Sequence, residues 1–260
     1  MLDTVQFILG AFSGALVGFS LGLVGGGGSI LAVPLMVYLV GVKNPHLAIG
    51  TSALAVAANA AIGLFNHARA GNVKWKCGVM FAGAGVIGAL AGSTAGKAFD
   101  GQKLLFLFAL VMILVGVLML RRRGHEGNGH VVLDRSNGGK LAAYGLGTGL
   151  FSGFFGIGGG FLIVPGLIAA TDMAMINAVG TSLISVTSFG LTTAFNYAAS
   201  GLVDWSLAGI FILGGVVGSL AGTRTAKKLS SSGQLVTVFA VLIFAVAAYM
   251  LYKSGLAIFG

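Results

Sequence analysis

Two glycine clusters carry the most distinctive chemistry in the chain. Gly25, Gly26, Gly27 and Gly28 stand in a row before Ser29, and Gly156, Gly158, Gly159 and Gly160 repeat the pattern later. Backbone without side chains allows close approach to a ligand, and free N–H groups at a helix N-terminus attract an anion. A nucleotide-phosphate loop is disfavoured, because no lysine follows either cluster and no strand-like segment precedes it. The alternative for the glycines is close helix packing.

A second set consists of polar groups inside apolar stretches: Thr51, Ser52, Asn59, Asn66 and His67, then Thr181, Ser182, Ser185, Thr187, Ser188, Asn196 and Tyr197. Asparagine in hydrocarbon needs a partner, so Asn66 and Asn196 are either ligand contacts or links between helices. Serine and threonine can instead bond back to their own helix. His67 is the titratable group near a span interior, since Asp3, Asp100, Glu126, Asp134, Asp172 and Asp204 all fall at segment ends or in loops. It is the candidate for proton coupling; a structural histidine near a helix end is the alternative.

The composition puts the scaffold for these residues in lipid. Hydrophobic residues make up 57% of the 260 and charged residues 8%, against about 25% charged in soluble domains. Apolar runs recur at about 6–24, 47–66, 77–98, 103–120, 178–200, 206–226 and 235–252, and a helical span needs about 20 residues. The lipid bilayer is therefore a partner. The net charge of +9 reads as a topology signal rather than a nucleic-acid footprint. Residues 1–24 lack the basic start and cleavage signature of a secretory signal and are read as part of the mature fold. The single Cys77 excludes a disulfide framework and a cysteine zinc site, and no cofactor or metal is implied. No HExxH or GxSxG motif points to an enzyme.

The chain is a duplication. FNHARAGNVKW (65–75) aligns with FNYAASGLVDW (195–205) at an offset of 130 with six of eleven identities. GTS at 50–52 returns at 180–182, VIGALAGSTAGK (86–97) matches VVGSLAGTRTAK (216–227), and GLVGGGGSILAVP (22–34) answers GFFGIGGGFLIVP (153–165) at 131. The first repeat covers 1–120, a glycine-rich linker 121–140, and the second repeat 141–260. Gly88, Gly92 and Gly96, with Gly214, Gly218 and Gly222, form small-residue faces for helix packing. Trp75 and Trp205 suit the interfacial belt.

Each half holds five segments, and an odd number inverts the second copy. With the N-terminus outside, eleven basic residues fall on the inner face and four on the outer, which obeys the positive-inside rule and leaves the linker cytoplasmic. Arg69 and Arg224 then lie near inner ends, where they draw in an anion or snorkel to the interface. The stretches after the glycine clusters, 29–42 and 160–171, have only 14 and 12 residues and contain Pro34 and Pro165. The expected fold is all-α: two inverted repeats, each a glycine-broken, re-entrant or discontinuous hairpin plus three transmembrane helices. Short glycine-interrupted segments in corresponding positions point to a transporter's anion site.

The duplicated GLVGGGGSILAVP and GFFGIGGGFLIVP, the two GTS segments and the FN…G…W blocks resemble the sulfite exporter TauE/SafE family, also called the sulfonate uptake permeases. The resemblance covers nearly the whole chain. It implies transport of a small sulfur-containing anion, such as sulfite, an organosulfonate, sulfoacetate or thiosulfate, across a prokaryotic inner membrane. The sequence reading is a secondary transporter working by alternating access, with Gly25–Gly28, Ser29, Thr51, Ser52, Asn66, the second glycine cluster, Thr181, Ser182, Asn196 and Tyr197 as binding candidates. An anion channel with a glycine-lined pore is the alternative.

Overall fold

The computed structural model describes residues 4–121, 133–156, 160–230 and 235–259. It is all-helical: α1 (Thr4–Val24), a 3-10 stretch (Gly25–Leu31), α2 (Ala32–Pro34), a π-type stretch (Leu35–Leu39), α3 (Pro45–Arg69), α4 (Trp75–Lys97), α5 (Gly101–Arg121), α6 (Arg135–Phe155), α7 (Gly160–Thr171), α8 (Met175–Ala198), α9 (Trp205–Ser230) and α10 (Leu235–Phe259). Among the described residues, five stretches are long and apolar enough to cross a bilayer by length and composition: Thr4–Leu39, Pro45–Arg69, Trp75–Lys97, Met175–Ala198 and Trp205–Ala226.

Short polar side chains set where the helices begin. Asn44 Oδ1 accepts from the N–H groups of His46 (2.9 Å) and Leu47 (3.4 Å), with Pro45 opening α3. Asp100 receives the Lys103 N–H and Asp204 the Leu207 N–H, each at 2.9 Å. Each such cap contributes about 1 kcal/mol and meets the positive end of the helix dipole with a negative charge or dipole. At α6, Asp134 and Asn137 cap each other: Asp134 N–H donates to Asn137 Oδ1 (3.1 Å) and Asn137 N–H to Asp134 Oδ1 (3.0 Å). This box starts α6 at Arg135, so the last six residues of the stretch read as linker are helical, Gly138 and Gly139 included. Linker residues 122–132 lie outside the described set, and Arg121 ends α5.

The first glycine cluster turns the chain. Gly25 sits at φ +63°, and a Cβ on Gly28 would overlap the backbone of Ser20 and Leu21, so the chain folds back along α1. At 21 residues, α1 is about 31 Å long and can cross the hydrocarbon core. The return arm never settles into a regular α-helix; it passes through 3-10, α and π geometry around Pro34, which has no N–H to give. The 12 residues of α7 span only about 18 Å, and the helix runs on through Pro165. Left-handed backbone recurs at matched positions: Gly25 and Gly156, Gly41 and Asp172, Gly71 and Gly201.

The predicted small-residue faces are used as packing surfaces. A Cβ on Gly214, Gly218 or Gly222 of α9 would overlap the carbonyl oxygen of Ala11, Ala15 or Phe19 of α1. Gly88, Gly92 and Gly96 of α4 meet the carbonyls of Leu146, Leu150 and Phe154 of α6 in the same way. Numbers rise together in both pairs, so α1 is parallel to α9, and α4 to α6. Along α3 and α8 they run oppositely, with Gly50 beside Tyr197 and Gly63 beside Leu183. Gly78 beside Thr181 and Gly85 beside Phe189 make α4 parallel to α8, and Asn59 beside Gly215 with Gly63 near Ser219 makes α3 parallel to α9. Thus α1, α3 and α9 run one way, and α4, α6 and α8 the other.

Candidate functional site

Each glycine turn is seated against the other half of the chain. The Gly26 N–H donates to Ser182 Oγ at 2.9 Å, and Ser182 Oγ in turn donates to the Val179 carbonyl at 2.8 Å. Ser29 Oγ donates back to the Gly26 carbonyl at 2.9 Å, which closes the 3-10 turn. A Cβ on Gly25 would stand 2.5 Å from the Val179 carbonyl oxygen, so that position needs glycine for space as well as for its φ. Gly25, Gly26, Gly27, Gly28, Ser29, Thr181 and Ser182 are all buried. The second turn, at Gly156 with φ +67°, presses on Ile49, one turn into α3. Gly158 and Gly159 lie outside the described residues, and Gly160 opens α7.

His67 holds the first turn from the side. Its Nε2 lies 3.0 Å from the Gly22 carbonyl oxygen, and Asn72 Nδ2 lies 3.3 Å from its Nδ1. A carbonyl only accepts, so Nε2 carries the proton and Nδ1 receives the amide N–H of Asn72, the arrangement of a neutral imidazole. Asn72 is fixed as well, its carbonyl accepting from Asn177 Nδ2 at 3.2 Å. Its place in the FNHARAGNVKW block is a visible signal, but its partner is the third residue of α8, the repeat's other copy of α3, which spacing alone does not reveal.

The two Gly-Thr-Ser segments divide their work. Thr181 Oγ1 accepts the Lys74 N–H and Thr51 Oγ1 the Asp204 N–H, both at 2.9 Å, so each threonine secures the start of a helix in the opposite half. Ser52 Oγ donates to the Ile49 carbonyl at 3.0 Å, on the residue that faces Gly156.

Asn196 joins helices. Its Nδ2 donates to Ser93 Oγ (2.6 Å) and Thr94 Oγ1 (3.0 Å), while Lys97 Nζ donates to its Oδ1 (2.9 Å), its carbonyl (3.0 Å) and Ser200 Oγ (2.9 Å). An ammonium at the C-terminal end of α8 also suits the helix dipole. Tyr197 is fully buried with an unpartnered hydroxyl, its ring 5.9 Å from Lys97 Nζ. Asn66 is half-buried and its Nδ2 has no partner. The Arg69 guanidinium lies 4.1 Å over the Phe65 ring.

The candidate residues therefore form two groups. Gly25 to Ser29, Asn66, His67, Thr181 and Ser182 gather where α3 ends and α8 begins; Thr51, Ser52, Gly156, Asn196 and Tyr197 gather where α3 begins and α8 ends. Ile49 and His67 bracket a rise of about 27 Å along α3. The sequence reading treats the glycine clusters as one set, whereas the antiparallel crossing of α3 and α8 puts the two turns at opposite ends.

Residues 10–250 match the sulfite exporter TauE/SafE family. A probable membrane transporter protein of Xylella fastidiosa (strain 9a5c) is 53% identical over 246 residues, 93% of this chain and 94% of that protein. The probable membrane transporter protein YdhB of Bacillus subtilis (strain 168) is 26% identical over 80% of this chain and 86% of its own length. A probable membrane transporter protein of Methanocaldococcus jannaschii is 28% identical over 83% of this chain and 86% of its own. No solved structure matches the chain. With its multiple apolar helices and a match over almost its whole length, the chain belongs to the sulfite exporter TauE/SafE family of membrane transporters.

Proposed function

We propose that the protein is a secondary transporter that moves sulfite or another small sulfur-containing anion across the inner membrane by alternating access between two inverted halves. The observation that carries this reading is the seating of each glycine turn on the opposite half, through Gly26 with Ser182 at one end and Gly156 with Ile49 at the other. A turn tied across the interface of the halves changes its contacts when the halves rock, so each turn gates the face on which it lies. Backbone N–H groups of the glycine clusters offer donors and no acidic group to an anion, while the hydroxyls of Ser29, Ser52 and Ser182 brace the turns by donating to the Gly26, Ile49 and Val179 carbonyls. The inverted arrangement is supported by helix direction: α1, α3 and α4 run opposite to their matched partners α6, α8 and α9. The bias of basic residues supports termini outside and a cytoplasmic central loop.

The test is flux into proteoliposomes with sulfite, thiosulfate, sulfate, taurine and sulfoacetate over a range of concentrations. Saturable uptake of a sulfur anion is the expected result. Flux that rises linearly through the millimolar range would mark a channel, and no flux with any of the five would overturn the reading.

A further inference from the structure

Asn59 lies in the middle third of α3, fully buried, and neither its Nδ2 nor its Oδ1 has a hydrogen-bond partner. It packs on the backbone of α9, where a Cβ on Gly215 would overlap its amide. One turn further along both helices, Ser219 is also fully buried, its Oγ has no partner, and it stands 3.5 Å from where a Cβ on Gly63 would be. Residues four apart on a helix are neighbours, so the two orphan groups face the same α3/α9 seam at adjacent levels.

The duplication supplies its own control. The positions matching Asn59, Gly215 and Ser219 are Phe189, Gly85 and Ala89. At that second seam Phe189 of α8 reaches the place a Cβ on Gly85 would take, and both Phe189 and Ala89 are fully buried. At that crossing a phenyl ring and a methyl group stand where the first half has an amide and a hydroxyl, while Thr193, at the position matching Gly63, keeps a buried hydroxyl without a partner. The fold does not need an amide there. Buried polar groups without partners are rare because they give up hydrogen bonds to water and gain nothing in return, and lipid offers no substitute.

We infer that Asn59 and Ser219 are a mid-membrane contact for the transported oxyanion, with the amide present at the α3/α9 seam and absent from the matched one. This rests on the anion-transporter reading above. Asn59 Nδ2 brings two N–H donors and Ser219 one O–H donor, a set that suits the oxygens of a sulfur oxyanion. A bare cation would instead want several carboxylate or carbonyl oxygens, and Asp100, Asp134 and Asp204 are spent at helix starts. The position lies between the two glycine turns, where a solute passing from one to the other must travel.

The experiment is thermal unfolding of the purified full-length protein, with and without sulfite, thiosulfate and sulfoacetate, in wild type, Asn59→Leu, Ser219→Ala and Phe189→Leu. Asn59→Leu is expected to raise the anion-free melting temperature, since it removes an orphan amide, and to weaken the apparent affinity for the stabilising anion about ten-fold, the loss of one hydrogen bond to a charged group. Ser219→Ala should act in the same direction. Phe189→Leu should lower the melting temperature and leave the affinity unchanged. Undiminished affinity in both Asn59→Leu and Ser219→Ala, or a lower anion-free melting temperature in Asn59→Leu, overturns this assignment alone. A wild-type protein that no sulfur anion stabilises overturns it together with the functional reading beneath it.

Discussion

Thr51 accepts the backbone N–H of Asp204 at 2.9 Å, and the matched Thr181 accepts that of Lys74 at the same distance. A threonine chosen on sequence as a ligand contact is thus also a joint between the halves. Thr51→Val and Thr181→Val keep the shape but leave a helix-start N–H without its acceptor, so each should lower stability by about 1–2 kcal/mol. Threonine to serine at either position should restore most of the loss. Thermal unfolding of the four variants checks this.

How much of this was legible from sequence differs between fold and site. The apolar runs 6–24, 47–66 and 77–98 fall inside or within a residue of α1, α3 and α4, because lipid fixes both the length and the polarity of a span. The start of α6 was missed: Arg135 and Lys140 interrupt the apolar signal and Gly138 and Gly139 suggest a loop, while the local Asp134–Asn137 box overrides both. The site was harder. That Gly26 would meet Ser182, 156 residues away, follows from how the halves cross, and no local pattern encodes that. Nor does the sequence tell which matched polar pair is bound: Asn66 and Asn196 look equivalent, yet their partners differ.

The glycine turns can be separated from the glycine packing faces by substitution. Gly25→Ala combines a disfavoured φ with a contact to the Val179 carbonyl, and should abolish transport. Gly18→Ala and Gly92→Ala push the α1/α9 and α4/α6 pairs apart and should reduce the amount of folded protein. Gly83→Ala and Gly209→Ala meet nothing within 4 Å and should be neutral or stabilising by up to about 1 kcal/mol through helix propensity. Flux measured alongside membrane yield distinguishes the three classes; normal flux in Gly25→Ala would rule out a gating role for the first turn.

His67 bonds through both ring nitrogens, to the Gly22 carbonyl and to Asn72. A histidine that carries a transported proton must break one of these bonds in each cycle, since a second ring proton would point at the amide N–H of Asn72. The geometry favours a clamp on the glycine turn. His67→Gln should therefore lower flux by a similar factor at every pH and leave the shape of the pH profile intact, whereas His67→Leu, which has no donor for Gly22, should lose more. A flattened profile in His67→Gln would instead assign proton coupling to this residue.

Asn196 and Asn66 occupy matched positions with unequal partners. Asn196 bonds through both ends of its amide to α4, including the Lys97 ammonium, whereas the Nδ2 of Asn66 is buried and unpartnered. Asn196→Leu removes one of the three acceptors of Lys97 and the donor to Ser93 and Thr94, and should cost about 1.5–3 kcal/mol, the range for a hydrogen bond to a charged group. Asn66→Leu removes an amide with less to lose, and should cost under about 1 kcal/mol or stabilise. If thermal unfolding ranks the two variants the other way, Asn66 has a protein partner that the α3 end acquires in another conformation. If Asn66→Leu keeps its stability but loses flux, the partner is the solute, and Asn66 joins the first glycine turn as part of its path.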